Sequence, residues 1–135
     1  MGIFVIEIAL EQARKAEKRG EVPIGAVIVR DGRVISKAHN MREQKQNALY
    51  HAEILAINRA CKKLKSWRLD DCEMYVTIEP CAMCMGAITN ARLKAVHFGA
   101  PSTTDLNWVT PKHNLENAEC SKLLKDFFAK MRGLV

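Results

Sequence analysis

The hydrophobic periods along this chain predict a three-layer α/β/α fold built on a mixed central sheet. Three observations carry the prediction. Asp31-Gly32 sits between two apolar runs, a strong signal for a two-residue hairpin. Helical stretches alternate with strands after that hairpin. The first strand is apolar on both faces (Ile24, Ala26, Val27, Ile28, Val29), as expected of a central strand covered by helices. The 135 residues are expected to form one domain, residues 1–135, with enough length for a real core.

Residues 3–19 read as a helix, with Phe4, Ile6, Ala9, Leu10, Ala13 and Ala16 on a rough stripe and Gly20 as the stop. Ile24–Arg30 and Arg33–His39 are the hairpin strands. Residues 40–50 are polar and irregular. A helix follows over His51–Leu64, with Ile54, Leu55, Ile57, Ala60, Cys61 and Leu64 available for burial. Met74–Glu79 is an apolar strand, Cys81–Asn90 a short helix and Leu93–Gly99 a further strand. Residues 100–114, with Pro101 and Pro111, are loop-like. Leu115–Arg132 closes the chain as an amphipathic helix through Leu123, Leu124, Phe127, Phe128 and Met131. Neither an internal repeat nor a low-complexity segment is present.

The composition is that of a soluble globular protein, with 48% hydrophobic residues. The N-terminal Met1–Ile6 lacks a basic leader and is followed by Glu7 and Glu11, so it does not read as a signal peptide. Ile6 argues against myristoylation, and no apolar run is long enough to span a membrane. The cysteine count is five, an odd number, and two form a CxxC step. Metal binding is therefore favoured over disulfides, and a reducing cytoplasm over export. The formal charge of +6 suits a polyanionic partner such as RNA, and equally a surface that is merely basic.

The chemistry concentrates in two phrases, His51-Ala52-Glu53 and Pro80-Cys81-Ala82-Met83-Cys84. One imidazole and two thiols supply three zinc ligands and leave a fourth tetrahedral position open, the layout of a catalytic site. Pro80 suits the entry to a helix, and Cys81 and Cys84 fall one turn apart on the same helix face. The helix N-terminus favours their thiolates. His51 also begins a helix, and two inward-pointing helix starts can converge on one ion. Glu53 is the spare carboxylate. Its expected work is with protons: taking one from the attacking water, then protonating the ring nitrogen and the departing amine. The alternative is a structural zinc with a fourth protein ligand. Cys61 lies ten residues beyond His51, about 15 Å along a helix. Cys72 precedes Cys81 by nine residues, up to roughly 30 Å if extended. Neither can reach, whereas Cys120, His39, His97 and His113 stay open as a fourth ligand.

Other candidates carry weaker expectations. His97, in a strand, reads as a core or interface histidine, and His39 lies near the pocket mouth without an assigned role. Trp67 and Trp108 read as packing residues. Of Phe127-Phe128, at least one ring should be core, while the other is free to stack on a nucleotide. The run Lys62–Arg68 reads as a solvated helix end, with RNA contact as the alternative.

The phrase H-x-E…P-C-x-x-C is itself a known mark of zinc deaminases acting on nucleobases, so the reading is recognition as well as derivation. The chain resembles the bacterial tRNA-specific adenosine deaminases, the TadA family, of the cytidine-deaminase-like fold. The likeness runs through Glu21–Val29, Asn40, His51–Ile54, Tyr75–Cys84, Gly86–Ile88, Phe98–Ala100, Glu119-Cys120 and Leu123–Phe128. The resemblance implies that His51, Cys81 and Cys84 hold one Zn2+ per subunit and that Glu53 shuttles protons. It further implies that Asn40 hydrogen-bonds the base and that Val22 walls the pocket. The backbone N–H groups of Ala52 and Cys81 would orient base and water, and Phe127 and Phe128 would lie near flanking nucleotides. A hydrolase is implied that works as a homodimer in the cytoplasm and converts the wobble adenosine of tRNA(Arg) to inosine, releasing ammonia. An anticodon-loop base is already unpaired, so extruding it costs little.

One stretch departs from the family. After Phe98-Gly99-Ala100 the relatives usually carry Arg-Asp, then a longer loop, a short helix and a fifth strand; here Pro101-Ser102 follows and the segment is shorter. A parallel strand needs a crossover of a dozen or more residues. The expectation is four main strands, or a short fifth edge strand near residues 112–116 without a full crossover helix. The trimmed segment also keeps alive a second activity, deamination of a free base or nucleoside such as guanine, cytosine or cytidine. A third reading is a non-catalytic zinc-stabilised binding subunit, against which the intact Glu53 speaks.

Overall fold

The chain alternates helix and strand as the periods require, in a computed structural model that describes residues 2–102 and 108–133. Helix α1 (Gly2–Lys18) precedes the hairpin of β1 (Gly25–Arg30) and β2 (Arg33–His39). Asp31 and Gly32 have φ of 51° and 75°, the left-handed pair that a tight hairpin turn demands. Then come α2 (Ala52–Leu64), β3 (Glu73–Ile78), α3 (Ala82–Asn90), β4 (Ala95–Ala100), β5 (Lys112–Asn114) and α4 (Ala118–Met131). The sheet order is β2-β1-β3-β4-β5. β1 runs antiparallel to both β2 and β3, and β3, β4 and β5 run parallel to one another.

Two apolar layers cover the sheet. Ala26 and Ile28 of β1 join a cluster with Leu55, Ala56 and Ala60 of α2 and Met85 and Ile88 of α3. Val27 and Val29 point the other way, toward Val5, Ala9 and Leu10 of α1 and Cys120 of α4. This period of two, with burial on both sides, is what makes β1 central. Two glycines set how closely the helices sit. A Cβ on Gly25 would collide with the Ala9 carbonyl of α1, and one on Gly99 with the Cys120 thiol of α4.

The observed boundaries differ from the expected ones where turns intervene. α4 starts at Ala118 because Asn117 caps it, accepting from the Cys120 N–H at 3.1 Å. β4 starts two residues late, because Lys94 N–H is still held by the Cys72 carbonyl at 2.9 Å. The fifth strand is present as three residues at the edge, in register with Val96–Phe98. No helix lies among the described residues of the connection before it, and residues 103–107, where a crossover helix was not expected, lie outside the described part. Trp108 packs against the α2/α3 layer as expected. Trp67 does not pack: it is 60% exposed, with the guanidinium groups of Arg68 and Arg92 at 5.3 and 5.9 Å from its ring centroid. Among the described residues no helix is long and apolar enough to cross a membrane.

Candidate metal centre and active site

The two helix starts on the α2/α3 face converge. His51 is the N-cap of α2 and Cys81 the N-cap of α3, both in extended backbone and neither using its side chain to cap its own helix. Ser, Thr, Asp or Asn at such positions would stabilise each helix by about 1 kcal/mol. Here the two side chains face one another instead. His51 Nδ1 lies 3.7 Å from Cys81 Sγ and 3.5 Å from Cys84 Sγ. Bonds of about 2.0 Å to nitrogen and 2.3 Å to sulfur in a tetrahedral site put N and S roughly 3.5 Å apart. The donor set therefore has the spacing for a zinc-sized ion. His51, Cys81 and Cys84 all have ligand atoms within 4.8 Å of one another, and no fourth His, Cys, Asp or Glu of the described residues joins them.

Burial prepares the ligands. His51 has its pKa lowered, first by desolvation and then by the nearby Arg42 charge, so its lone pair is available at neutral pH. The Cys84 thiol, fully buried, is pushed up by desolvation and by the neighbouring Glu53 and Cys81. Such a thiol stays protonated unless a cation displaces the proton, and a dication would do so.

Glu53 stands beside this trio and is not part of it. It lies in the first turn of α2 and is 3% exposed. Its Oε1 is the buried side-chain oxygen that lacks any hydrogen-bond partner among the described residues. Desolvation raises its pKa from 4.5 to about 7, opposed in part by its own backbone N–H and by the Cys84 thiol. A buried carboxylate oxygen without a partner is costly to the fold, and it is free to meet a ligand.

The other candidates divide by location. Ala52 is buried in the first turn of α2 between His51 and Glu53. Asn40 is buried, its side-chain nitrogen 3.4 Å from the Val22 carbonyl and its Oδ1 accepting the Arg42 N–H at 3.2 Å. Val22 and Asn40 are thus held together, and Met41 N–H to the Tyr50 carbonyl at 3.0 Å ties the residue after Asn40 to the residue before His51. Phe127 is buried and Phe128 is 38% exposed, their rings edge-on at 5.4 Å. They belong to α4, in the layer opposite α2 and α3. His97 Nε2 donates to the Glu73 carboxylate at 2.8 Å and its ring stacks on Tyr75, away from the trio in its own contacts. Buried His39 faces the Asn40 carbonyl at 3.3 Å.

Two carboxylates matter here that the sequence reading quoted only inside longer phrases. Glu21, 1% exposed, accepts the N–H groups of Glu43 and Gln44 at 3.1 and 2.6 Å, fixing the loop that carries Asn40 and Arg42. Glu79 accepts from Ser102 and Lys112. Their only signal in the sequence was acidity inside apolar phrases.

The family model for MafB19-like deaminases matches residues 5–132. The tRNA-specific adenosine deaminase of Bacillus subtilis (strain 168) is 43% identical over 139 residues, which is 92% of this chain and 86% of that protein. The chain belongs to the tRNA-specific adenosine deaminase family. A structure solved in a study of A-to-I editing by tRNA:A34 deaminases at the wobble position of transfer RNA superposes with a TM-score of 0.82 at 36% identity, over 90% of this chain and 99% of that one. A guanine deaminase from Bacillus subtilis is also similar, with a TM-score of 0.70 and 41% identity, over 74% of this chain and 64% of that one. Family membership accounts for the cytidine-deaminase-like sheet order.

Proposed function

We propose that this chain is a zinc-dependent hydrolase that converts the wobble adenosine of an arginine tRNA to inosine, with release of ammonia. The observation that carries the reading is Glu53: a fully buried carboxylate with a partnerless oxygen, beside a three-donor set whose spacing suits zinc. His51, Cys81 and Cys84 would hold the ion, whose chemistry there is to make water nucleophilic at neutral pH. The family relatives named for tRNA support the substrate.

The work of the protein is then positioning and proton transfer. Glu53 takes a proton from the attacking water and delivers protons to N1 of adenine and to the departing amine, so that water and adenosine become inosine and ammonia. Asn40, oriented by Val22 and Arg42, presents its amide to the base edge. Val22 forms the wall, and the N–H groups of Ala52 and Cys81 orient base and water. Phe128 serves the flanking nucleotides through its exposed ring, while Phe127, expected beside it, is buried and supports it from the core. The +6 charge favours the anionic substrate. The same reading takes the protein to be a cytoplasmic homodimer.

A second reading is deamination of a free base or nucleoside: guanine, cytosine or cytidine. It is favoured by Pro101-Ser102 where the family usually has Arg-Asp, and by the likeness to a guanine deaminase. Sequencing for inosine at the wobble position of an ACG-anticodon arginine tRNA separates the two. Conversion by zinc-loaded wild type and not by Glu53→Ala supports the tRNA reading. A folded, zinc-containing protein that leaves the tRNA unchanged but deaminates guanine or cytidine overturns it in favour of the second.

A further inference from the structure

Cys81, which would be a metal ligand, meets His51 through its thiol and is otherwise placed by the backbone that delivers it. It sits in extended conformation at the head of α3, and its side chain makes no cap bond. Pro80 before it has no N–H to give to the sheet. The last sheet bond before the ligand is therefore that of Glu79, whose N–H reaches the Ala100 carbonyl at 2.9 Å. The Glu79 side chain, 11% exposed, spans the same gap a second time. Its Oε1 accepts the Ser102 N–H at 3.1 Å, and its Oε2 meets Lys112 Nζ at 2.6 Å, with Lys112 itself only 17% exposed. Ser102 and Lys112 stand at the two ends of the shortened connection between β4 and β5.

We propose that Glu79 is a positioning residue: with Lys112 and Ser102 it forms a latch that holds both ends of the β4–β5 connection against the strand end that delivers Cys81. This role rests on the zinc reading above. In this chain a short connection replaces the longer family segment, and one largely buried carboxylate ties what remains to the metal loop. Groups that orient metal ligands without touching the metal typically change metal affinity by 10- to 100-fold when lost.

Mechanical and purely electrostatic roles predict opposite signs for Lys112→Met, which makes the test sharp. Zinc release from the loaded full-length protein into excess chelator is timed for wild type, Glu79→Gln, Lys112→Met and the double variant, with steady-state kcat and KM alongside. A latch gives roughly 10-fold faster release in both single variants, a KM raised more than kcat is lowered, and a double variant no worse than the poorer single one. If Glu79 acts only through its charge, Glu79→Gln speeds release while Lys112→Met slows it, and the proposal is overturned. Release unchanged from wild type overturns it too. Leu10→Ala, in the opposite layer, controls for general loosening, and equally fast release from that variant also counts against the latch. Wild type that retains no zinc overturns the metal reading and this role together; normal retention with unaltered variants overturns the role alone.

Discussion

His51 Nδ1 lies 3.5 Å from Cys84 Sγ although 33 residues separate them. The contact joins the start of one helix to the first turn of another, beside the apolar cluster that packs α2 against α3. Two potential metal donors at that distance, with Cys81 completing the trio, make metal binding the property to test before any other.

We expect one zinc per chain, measured by elemental analysis of gel-filtered protein. Cys84→Ala should lose the ion, while Cys61→Ala should keep it, since Cys61 lies outside the trio. Chelation should lower the thermal midpoint of wild type and leave that of Cys84→Ala unchanged. A Cys84→Ala protein that still holds a full equivalent of zinc would refute the ligand assignment.

Glu53→Gln should keep its zinc and lose activity by about 10²- to 10⁴-fold, the range for a positioned general acid-base. A variant within threefold or so of wild type would favour a non-catalytic zinc-stabilised subunit, and an inactive variant that had also lost zinc would make Glu53 a ligand.

The pH dependence of the metal-free protein follows from the same residue. Glu53 has its folded pKa raised from 4.5 to about 7, so the folded chain holds an extra proton between those values. Stability from this proton is fully present below pH 4.5 and is lost as pH rises through about 7. The full loss is on the order of 3 kcal/mol. His39 and His51, both lowered by burial, slope the opposite way below 6.5, but both proteins in the comparison carry them. Metal-free Glu53→Gln should therefore gain on wild type in urea titrations as pH is raised from about 5 to about 8. A constant difference across that range would show that Glu53 carries no extra proton.

The neighbouring phenylalanines should separate stability from recognition. Phe127→Ala should destabilise by roughly 3–5 kcal/mol, the cost of emptying a buried ring site, because Phe127 is 7% exposed. Phe128→Ala should leave the thermal midpoint nearly unchanged and raise KM for the tRNA, with a stacking ring worth about 1–3 kcal/mol. An unchanged KM would remove Phe128 from the substrate contacts.

Much of this was readable before any coordinates. The hairpin declared itself through Asp31-Gly32, because only a left-handed pair closes a two-residue turn without strain. The candidate metal donors were legible through residue type and spacing, because zinc accepts few donors and CxxC puts two on one helical turn. The depth of β1 was legible as apolar residues on both faces. The positions of α4 and β4 differ from the periodicity by two or three residues, because a side-chain cap at Asn117 and a backbone bond from Lys94 to the Cys72 carbonyl fix them. Trp67 was misread because hydropathy does not distinguish a ring that packs from one covered by two guanidinium groups.

The sequence by itself determined the element order, the alternation of burial and the set of groups able to bind metal and move protons. Each is a short-range property of residue type and spacing. Only the tertiary structure decided that Glu53 would have a partnerless oxygen, that Glu21 would tie down the loop of Asn40, and that Glu79 would clasp Lys112 across 33 residues. Burial, desolvation and pairing between distant segments are properties of the packed chain. No local pattern encodes them, because the same carboxylate is ordinary in water and consequential only where the fold removes the water around it.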